Sequence, residues 1–161
     1  MNERRIVQTG IDVSRYQGKI DWARVKAGGT GFAIIKCTQG VNTVDPEFHR
    51  NMRNCAAVGL PVGAYVYSRA RTAFAAAEEA ERAAEECAPY HLDYPIAMDF
   101  EAAQFLAMPK KTRGAIIDAF CMRIEARGYK PMLYSSKYWL SALIPSETTR
   151  RWDVWLAQYA P

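Results

Sequence analysis

The chain has 161 residues, half of them hydrophobic and 24% charged, with a formal net charge of +4. That length supports one domain with its own core, and the composition excludes a disordered chain. The densest basic cluster, Lys110-Lys111-Thr112-Arg113, stands where a helix begins and lacks interleaved aromatics, which argues against a nucleic-acid surface.

The segment Met1 to Gln8 is charged and has no apolar leader core, and no apolar run is long enough to cross a bilayer. Neither a signal peptide nor membrane insertion is expected. Cysteines stand at 37, 55, 87 and 121 without a C-x-x-C pair. Small buried thiols are the expectation, not zinc ligands or a disulfide framework.

In chain order, the first β-rich run is Gly10 to Ser14. Asp21 caps a short helix containing Trp22 and Val25, closed by Gly28-Gly29. Phe32 to Cys37 reads as a buried strand. Asp45 is the expected cap of the next helix and Pro46 its first residue, with Phe48, Met52, Cys55 and Ala56 as the apolar stripe and Gly59 as the stop. The third strand is Pro61 to Ser68. Thr72 opens an Ala/Glu helix, read as a solvated outer helix with Glu78 and Arg82 paired at i, i+4. The fourth strand lies in "YPIAMDFEAA", Tyr94 to Ala103. Thr112 is the expected cap of a helix bearing Ile116, Ile117, Phe120 and Ile124, ended by Gly128. Pro131 to Ser135 is the fifth strand. Ser136 caps a pattern with Trp139, Leu140 and Leu143, and Asp153 to Tyr159 is the sixth strand.

Strands alternating with helices predict a parallel sheet, either open and doubly wound or closing towards a barrel. The first βα turn has no G-x-G-x-x-G, which removes the main support for dinucleotide binding. Polar residues gather at the C-terminal ends of the strands: Asp12, Gln39, Tyr67, Asp99, Tyr134 and Gln158 are examples. Active sites occupy that edge in both architectures.

The fourth strand carries the chemistry. Residues i and i+2 share a strand face, so Asp99 and Glu101 project together while Phe100 turns into packing. Two adjacent carboxylates cannot both ionise freely, and a retained proton suits a general acid for glycosidic cleavage. Glu101, nearer the strand end, is assigned the acid role; Asp99 is expected to stay ionised. Asp12 converges on the same mouth if the sheet closes into a barrel. A solvated strand end, a salt-bridged pair or an acidic Mg or Mn site are the competing readings. Neither His49 nor His91 fits a ligand set, so no metal and no cofactor are expected. Trp155 is read as core packing or as a platform for a sugar face, and Gln158 joins it as a candidate substrate contact.

The stretches "GIDVSRYQGKIDWARVK", "FAIIKCTQG", "VDPEFHRNMRNCAAVGLPVGAYVYSRA", "YPIAMDFE", "PMLYSS" and "VWLAQY" occur in order from Gly10 onward. Together they resemble glycoside hydrolase family 25, the Chalaropsis-type lysozymes. The resemblance implies an irregular TIM-like barrel of the (β/α)5(β)3 type and one catalytic domain over residues 1–161. The family continues through two further strands, so this chain is expected to lack the last two. The implied activity is cleavage of the β-1,4 bond between N-acetylmuramic acid and N-acetylglucosamine in peptidoglycan. Glu101 is then the general acid, Asp99 its partner in a substrate-assisted step, and Asp12 the first-strand aspartate; direct attack by a carboxylate or by water stays open. Tyr65 and Tyr134 match the family's aromatics near substrate. Val66 stands where the family commonly has His, and Gln39 where many members have Glu. A catalytically impaired glycan-binding fragment is the alternative. The expected partner is cell-wall peptidoglycan, met by a monomer acting outside the cell as a phage endolysin or a domain of a secreted bacterial protein.

Overall fold

The computed structural model describes residues 8–159. Residues 1–7 and 160–161, which include most of the segment read for a leader, lie outside the described residues. The fold is a curled sheet with helices on its convex side. Its strands run β1 (Gly10–Val13), β2 (Phe32–Gln39), β3 (Thr43–Val44), β4 (Val62–Tyr67), β5 (Ile96–Asp99), β6 (Pro131–Ser136) and β7 (Val154–Ala157). The order is β1-β2-β4-β5-β6-β7, each pair parallel, with the short β3 folded back antiparallel on the end of β2. It is a half-barrel: parallel strands joined by helical crossovers, with β1 and β7 as its edges.

Five helices connect the strands: α1 (Trp22–Ala27), α2 (Phe48–Ala57), α3 (Ala73–Cys87), α4 (Lys110–Ala126) and α5 (Ser146–Arg151). The convex strand faces supply Ala33, Ile35, Ala64, Val66, Ile96, Met98 and Leu133, all fully buried. The helices answer with Phe48, Met52, Cys55, Ile116, Ile117, Phe120 and Ile124. Fully burying one such large side chain stabilises by about 1.5–3 kcal/mol, so this interface dominates the fold's stability. All four cysteines are free and buried within it. Phe100 turns into this core as expected. It stacks on Phe105 with ring centroids 3.9 Å apart and meets Trp139 edge-on at 5.8 Å.

Several local expectations are corrected. Asp45 does not begin α2, whose first residue is Phe48. Its carboxylate accepts from the Glu47 N–H at 3.0 Å and from the Arg15 N–H at 3.1 Å, so it holds the turn before α2 to the loop after β1. Thr112 lies inside α4, which starts at Lys110 directly after Pro109; the residue before a helix-starting position need not be polar when proline already fixes φ there. Arg82 pairs with Glu86 at 2.6 Å rather than with Glu78. The segment after Ser136 includes a π-helical turn, Trp139–Leu143, and α5 follows it as a separate helix that the sequence reading omits.

The largest correction concerns α3. It is not a solvated outer helix: Ala76, Glu79, Ala80, Ala83 and Ala84 are buried. Small side chains let the helix approach the sheet and α4 closely. Glu79 is tolerated on that apolar stripe because its carboxylate accepts from the Ser68 hydroxyl and the Arg69 N–H.

Candidate active site

Parallel pairing aligns the strand ends, so each register row places one side chain per strand on the concave face. The top row is Gln39, Tyr67, Asp99, Tyr134 and Trp155, register partners across five neighbouring strands. Lys36, Tyr65, Ala97 and Met132 form the row beneath. Three residues singled out from sequence, Asp99, Tyr134 and Trp155, are thus lateral neighbours. Tyr134 and Trp155 meet edge-on with ring centroids 4.7 Å apart. Tyr65, Tyr67, Lys36 and Asp99 line one cavity of about 370 Å³ at the C-terminal mouth of the sheet.

Gln39 reaches this row through an irregularity. Strict alternation places it opposite Lys36. The β2–β4 register shifts between Lys36 and Thr38, which returns Gln39 to the concave side while Thr38 is fully buried on the other. Lys36 Nζ then donates to Gln39 Oε1 at 3.1 Å.

The two carboxylates of the pair differ in environment. Asp99 is only 7% exposed, and its Oδ1 finds no donor among the described residues. Glu101, just past the end of β5, is exposed. Burial, the Glu101 charge and a hydrogen bond shared with Glu101 push the Asp99 carboxyl up to about 8, against a smaller opposing pull from Lys36. The direction of this shift runs against the sequence expectation that Asp99 stays ionised, because desolvation falls on the deeper group. Asp12 does not line the cavity at the mouth: it pairs with Ile34, deeper along the sheet, and lines a second cavity inside the curl; its carboxyl is also raised, chiefly by partial burial. Tyr65 sits between the acidic groups. Its hydroxyl is raised well above its ordinary range by burial and by the Asp12 and Asp99 charges, and it shares a hydrogen bond with Ser14.

Gln158 is exposed beyond β7, with no hydrogen bond to the acidic pair among the described residues. Trp155 faces a second, mainly apolar cavity of about 330 Å³ inside the curl, which Asp12 also lines. Two further residues, Arg69 and Glu79, were not singled out, and Ser68 stood out only as a polar residue at the end of its strand. Arg69 lines the mouth from the loop after β4. Ser68 and Glu79 support that loop: Ser68 Oγ donates to Glu79 Oε2 at 2.6 Å, and the Arg69 N–H donates to Glu79 Oε1 at 2.8 Å. The available signal was a lone glutamate on an alanine stripe, since a buried carboxylate must find donors. Among the described residues, no group of three or more His, Cys, Asp or Glu side chains is placed to hold a metal ion.

A parallel half-barrel with a carboxylate pair at the C-terminal end of a central strand defines the class of β/α proteins that carry glycosidase-type sites. The chain belongs to glycosyl hydrolases family 25, whose sequence profile matches residues 11–161. It is similar to Lysozyme M1 of Streptomyces globisporus, 47% identical over 60 residues, which are 37% of this chain and 20% of that protein. It is 36% identical over 131 residues to the uncharacterized protein YegX of Escherichia coli K12, covering 78% of this chain and 47% of that protein. The chain thus spans at most about half the length of these curated relatives. Among solved structures, the bacterial lysozyme from Streptomyces coelicolor aligns with a TM-score of 0.78 and 26% identity over 99% of this chain and 77% of that one. The modular autolysin LytC from Streptococcus pneumoniae shares the fold, with a TM-score of 0.84 and 24% identity over 95% of this chain and 38% of that one.

Proposed function

We propose that this chain is the acid-bearing part of a peptidoglycan hydrolase, an N-acetylmuramidase that cleaves the β-1,4 bond between N-acetylmuramic acid and N-acetylglucosamine. The observation that carries the reading is the Asp99–Glu101 pair in a polar mouth, within a family 25 chain similar to lysozymes. On this reading the half-barrel corresponds to most of a (β/α)5(β)3 barrel and forms one catalytic domain. The protein acts on the wall outside the cell; no helix among the described residues is long and apolar enough to cross a membrane.

The proton inventory gives a mechanism. Glu101 faces the solvent and the substrate, and Asp99 holds the shared proton in the free site. A sugar bound across the mouth covers Glu101 and excludes water from it. The substrate's acetamido N–H donates to Asp99, which favours the carboxylate there. The proton passes from Asp99 to Glu101. Glu101 then gives it to the leaving glycosidic oxygen as the acetamido oxygen attacks the anomeric carbon, and ionised Asp99 stabilises the positive charge that develops on that group. Tyr65, held by Ser14, and Tyr134, packed on Trp155, wall the site. Asp12, deeper in the curl, adds its charge to the field at Asp99 and Tyr65.

The test is release of reducing ends from purified peptidoglycan. Glu101→Gln keeps the shape and removes the acid, and a loss of about 10²–10⁴-fold in kcat is expected. Equal hydrolysis by the variant removes Glu101 from the acid role.

A further inference from the structure

The mouth that holds Asp99 also holds two cations, Lys36 and Arg69, in no ion pair among the described residues. We propose that Lys36 and Arg69 form a subsite for a carboxylate carried by the substituent of the bound sugar, beside the Asp99–Glu101 pair. The proposal rests on the muramidase reading above and extends it to the group that distinguishes muramic acid from glucosamine.

Both cations line the 370 Å³ cavity with Asp99, and both converge on Tyr67. Lys36 Nζ lies 5.4 Å from the Tyr67 ring centroid, and the Arg69 side chain lies close enough to the Tyr67 hydroxyl to act on its proton affinity. Four arginines elsewhere pair with acids, Arg50 with Glu47, Arg82 with Glu86, and Arg123 and Arg127 with Glu81, while others such as Arg113 and Arg151 bond a carbonyl or cover a ring instead. Among the described residues, neither Lys36 nor Arg69 has a carboxylate within ion-pair distance. Lys36 instead bonds the neutral amide of Gln39.

The arginine is also held in place. Its N–H is fixed by buried Glu79 at 2.8 Å, and its carbonyl accepts from Gln104 Nε2 at 2.7 Å. A backbone fixed on both sides lowers the ordering cost of binding through the side chain. A guanidinium fork and an ammonium suit a planar carboxylate. Beyond Arg69 and Gln39 the surface continues as a groove of about 410 Å³ along the turn Gly40–Thr43, which gives a substituent room to leave the sugar.

Two sources share this chemistry: the free lactyl carboxylate of muramic acid, and a carboxylate of the stem peptide attached to it. N-acetylglucosamine offers neither. The experiment is an NMR titration of the intact protein with the disaccharide N-acetylglucosaminyl-N-acetylmuramic acid, its lactyl methyl ester, its dipeptide derivative with a free peptide carboxylate, and the amidated dipeptide. This disaccharide lacks the bond that a muramidase cuts, so binding is read without turnover.

At least one acid is expected to bind about tenfold more tightly than its neutral partner, as a charge-assisted contact requires. The pair showing the preference identifies the source. Arg69→Met and Lys36→Met should each remove most of that preference, and Arg69→Lys should restore part of it. Equal affinity of acid and neutral forms in both pairs overturns the proposal, as does absence of binding by either acid; these readings on the unmutated protein stand even if a variant fails to fold. Reducing-end release from peptidoglycan by the same preparation separates the two readings. Hydrolysis without an acid preference sinks the subsite alone. An acid preference without hydrolysis sinks the muramidase reading and leaves the subsite.

Discussion

Glu79 and Asp99 are buried to similar depth, and they live in opposite circumstances. Glu79, 2% exposed, sits under the loop after β4 and accepts from the Ser68 hydroxyl and the Arg69 N–H. Asp99, 7% exposed, sits at the end of β5 with a second carboxylate as its neighbour and no donor to Oδ1 among the described residues. Burial raises both groups. Donors offset part of that cost at Glu79, whereas at Asp99 the neighbouring charge adds to it. The difference separates a carboxylate that holds a loop in place from one that holds a proton for chemistry. Functional sites commonly retain such uncompensated groups at a cost in stability.

The comparison is broken most sharply by removing the Asp99 charge. In the folded state Asp99 titrates near 8, against 3.8 for its ordinary value. Between those limits the folded protein holds a proton that the unfolded chain releases, so this group's contribution to stability falls as pH rises from about 4 to 8. Asp99→Asn removes that penalty. We expect a gain on the order of 2 kcal/mol at pH 8, read from denaturant unfolding, which vanishes towards pH 4. Hydrolysis should be lost at the same time. If Asp99→Asn is instead less stable at pH 8 than the parent protein, the assignment is contradicted.

Glu79→Ala should act in the other direction. It leaves the Ser68 hydroxyl and the Arg69 N–H without their acceptor, and a loss of about 1–3 kcal/mol in unfolding free energy is expected. Glu79→Gln keeps an acceptor for Arg69 and should lose less. A smaller effect is expected for Ser68→Ala, about 1 kcal/mol, because Glu79 retains its bond from Arg69. If Ser68→Ala costs more than Glu79→Ala, the loop is held by something other than the carboxylate.

Much of this site was legible in the sequence, since period-two alternation alone sends Asp99 and Glu101 to one face and Phe100 to the other. The row Asp99, Tyr134 and Trp155 follows from placing three strand ends side by side. What stayed hidden depends on tertiary detail. The register shift between Lys36 and Thr38 moves Gln39 to the concave face, and nothing local announces it. The Glu-rich look of α3 concealed a buried stripe, because alanines at the interface make the helix amphipathic by size more than by polarity. The assignment of the proton to Asp99 rather than Glu101 needed relative depth, which strand position indicates but does not measure. Arg69 lies past a strand end, where side-chain direction is set by the loop and its Glu79 anchor.

The central claim is that the buried member of the pair carries the proton in the free site. A carbon-detected NMR titration of the Asp99 carboxyl, in the unmutated protein and in Glu101→Gln, measures it directly. The account predicts a midpoint near 8 in the parent protein, and a lower one, still above the ordinary aspartate range, once the Glu101 charge is gone. An Asp99 midpoint at the ordinary value of 3.8, unmoved by Glu101→Gln, contradicts it.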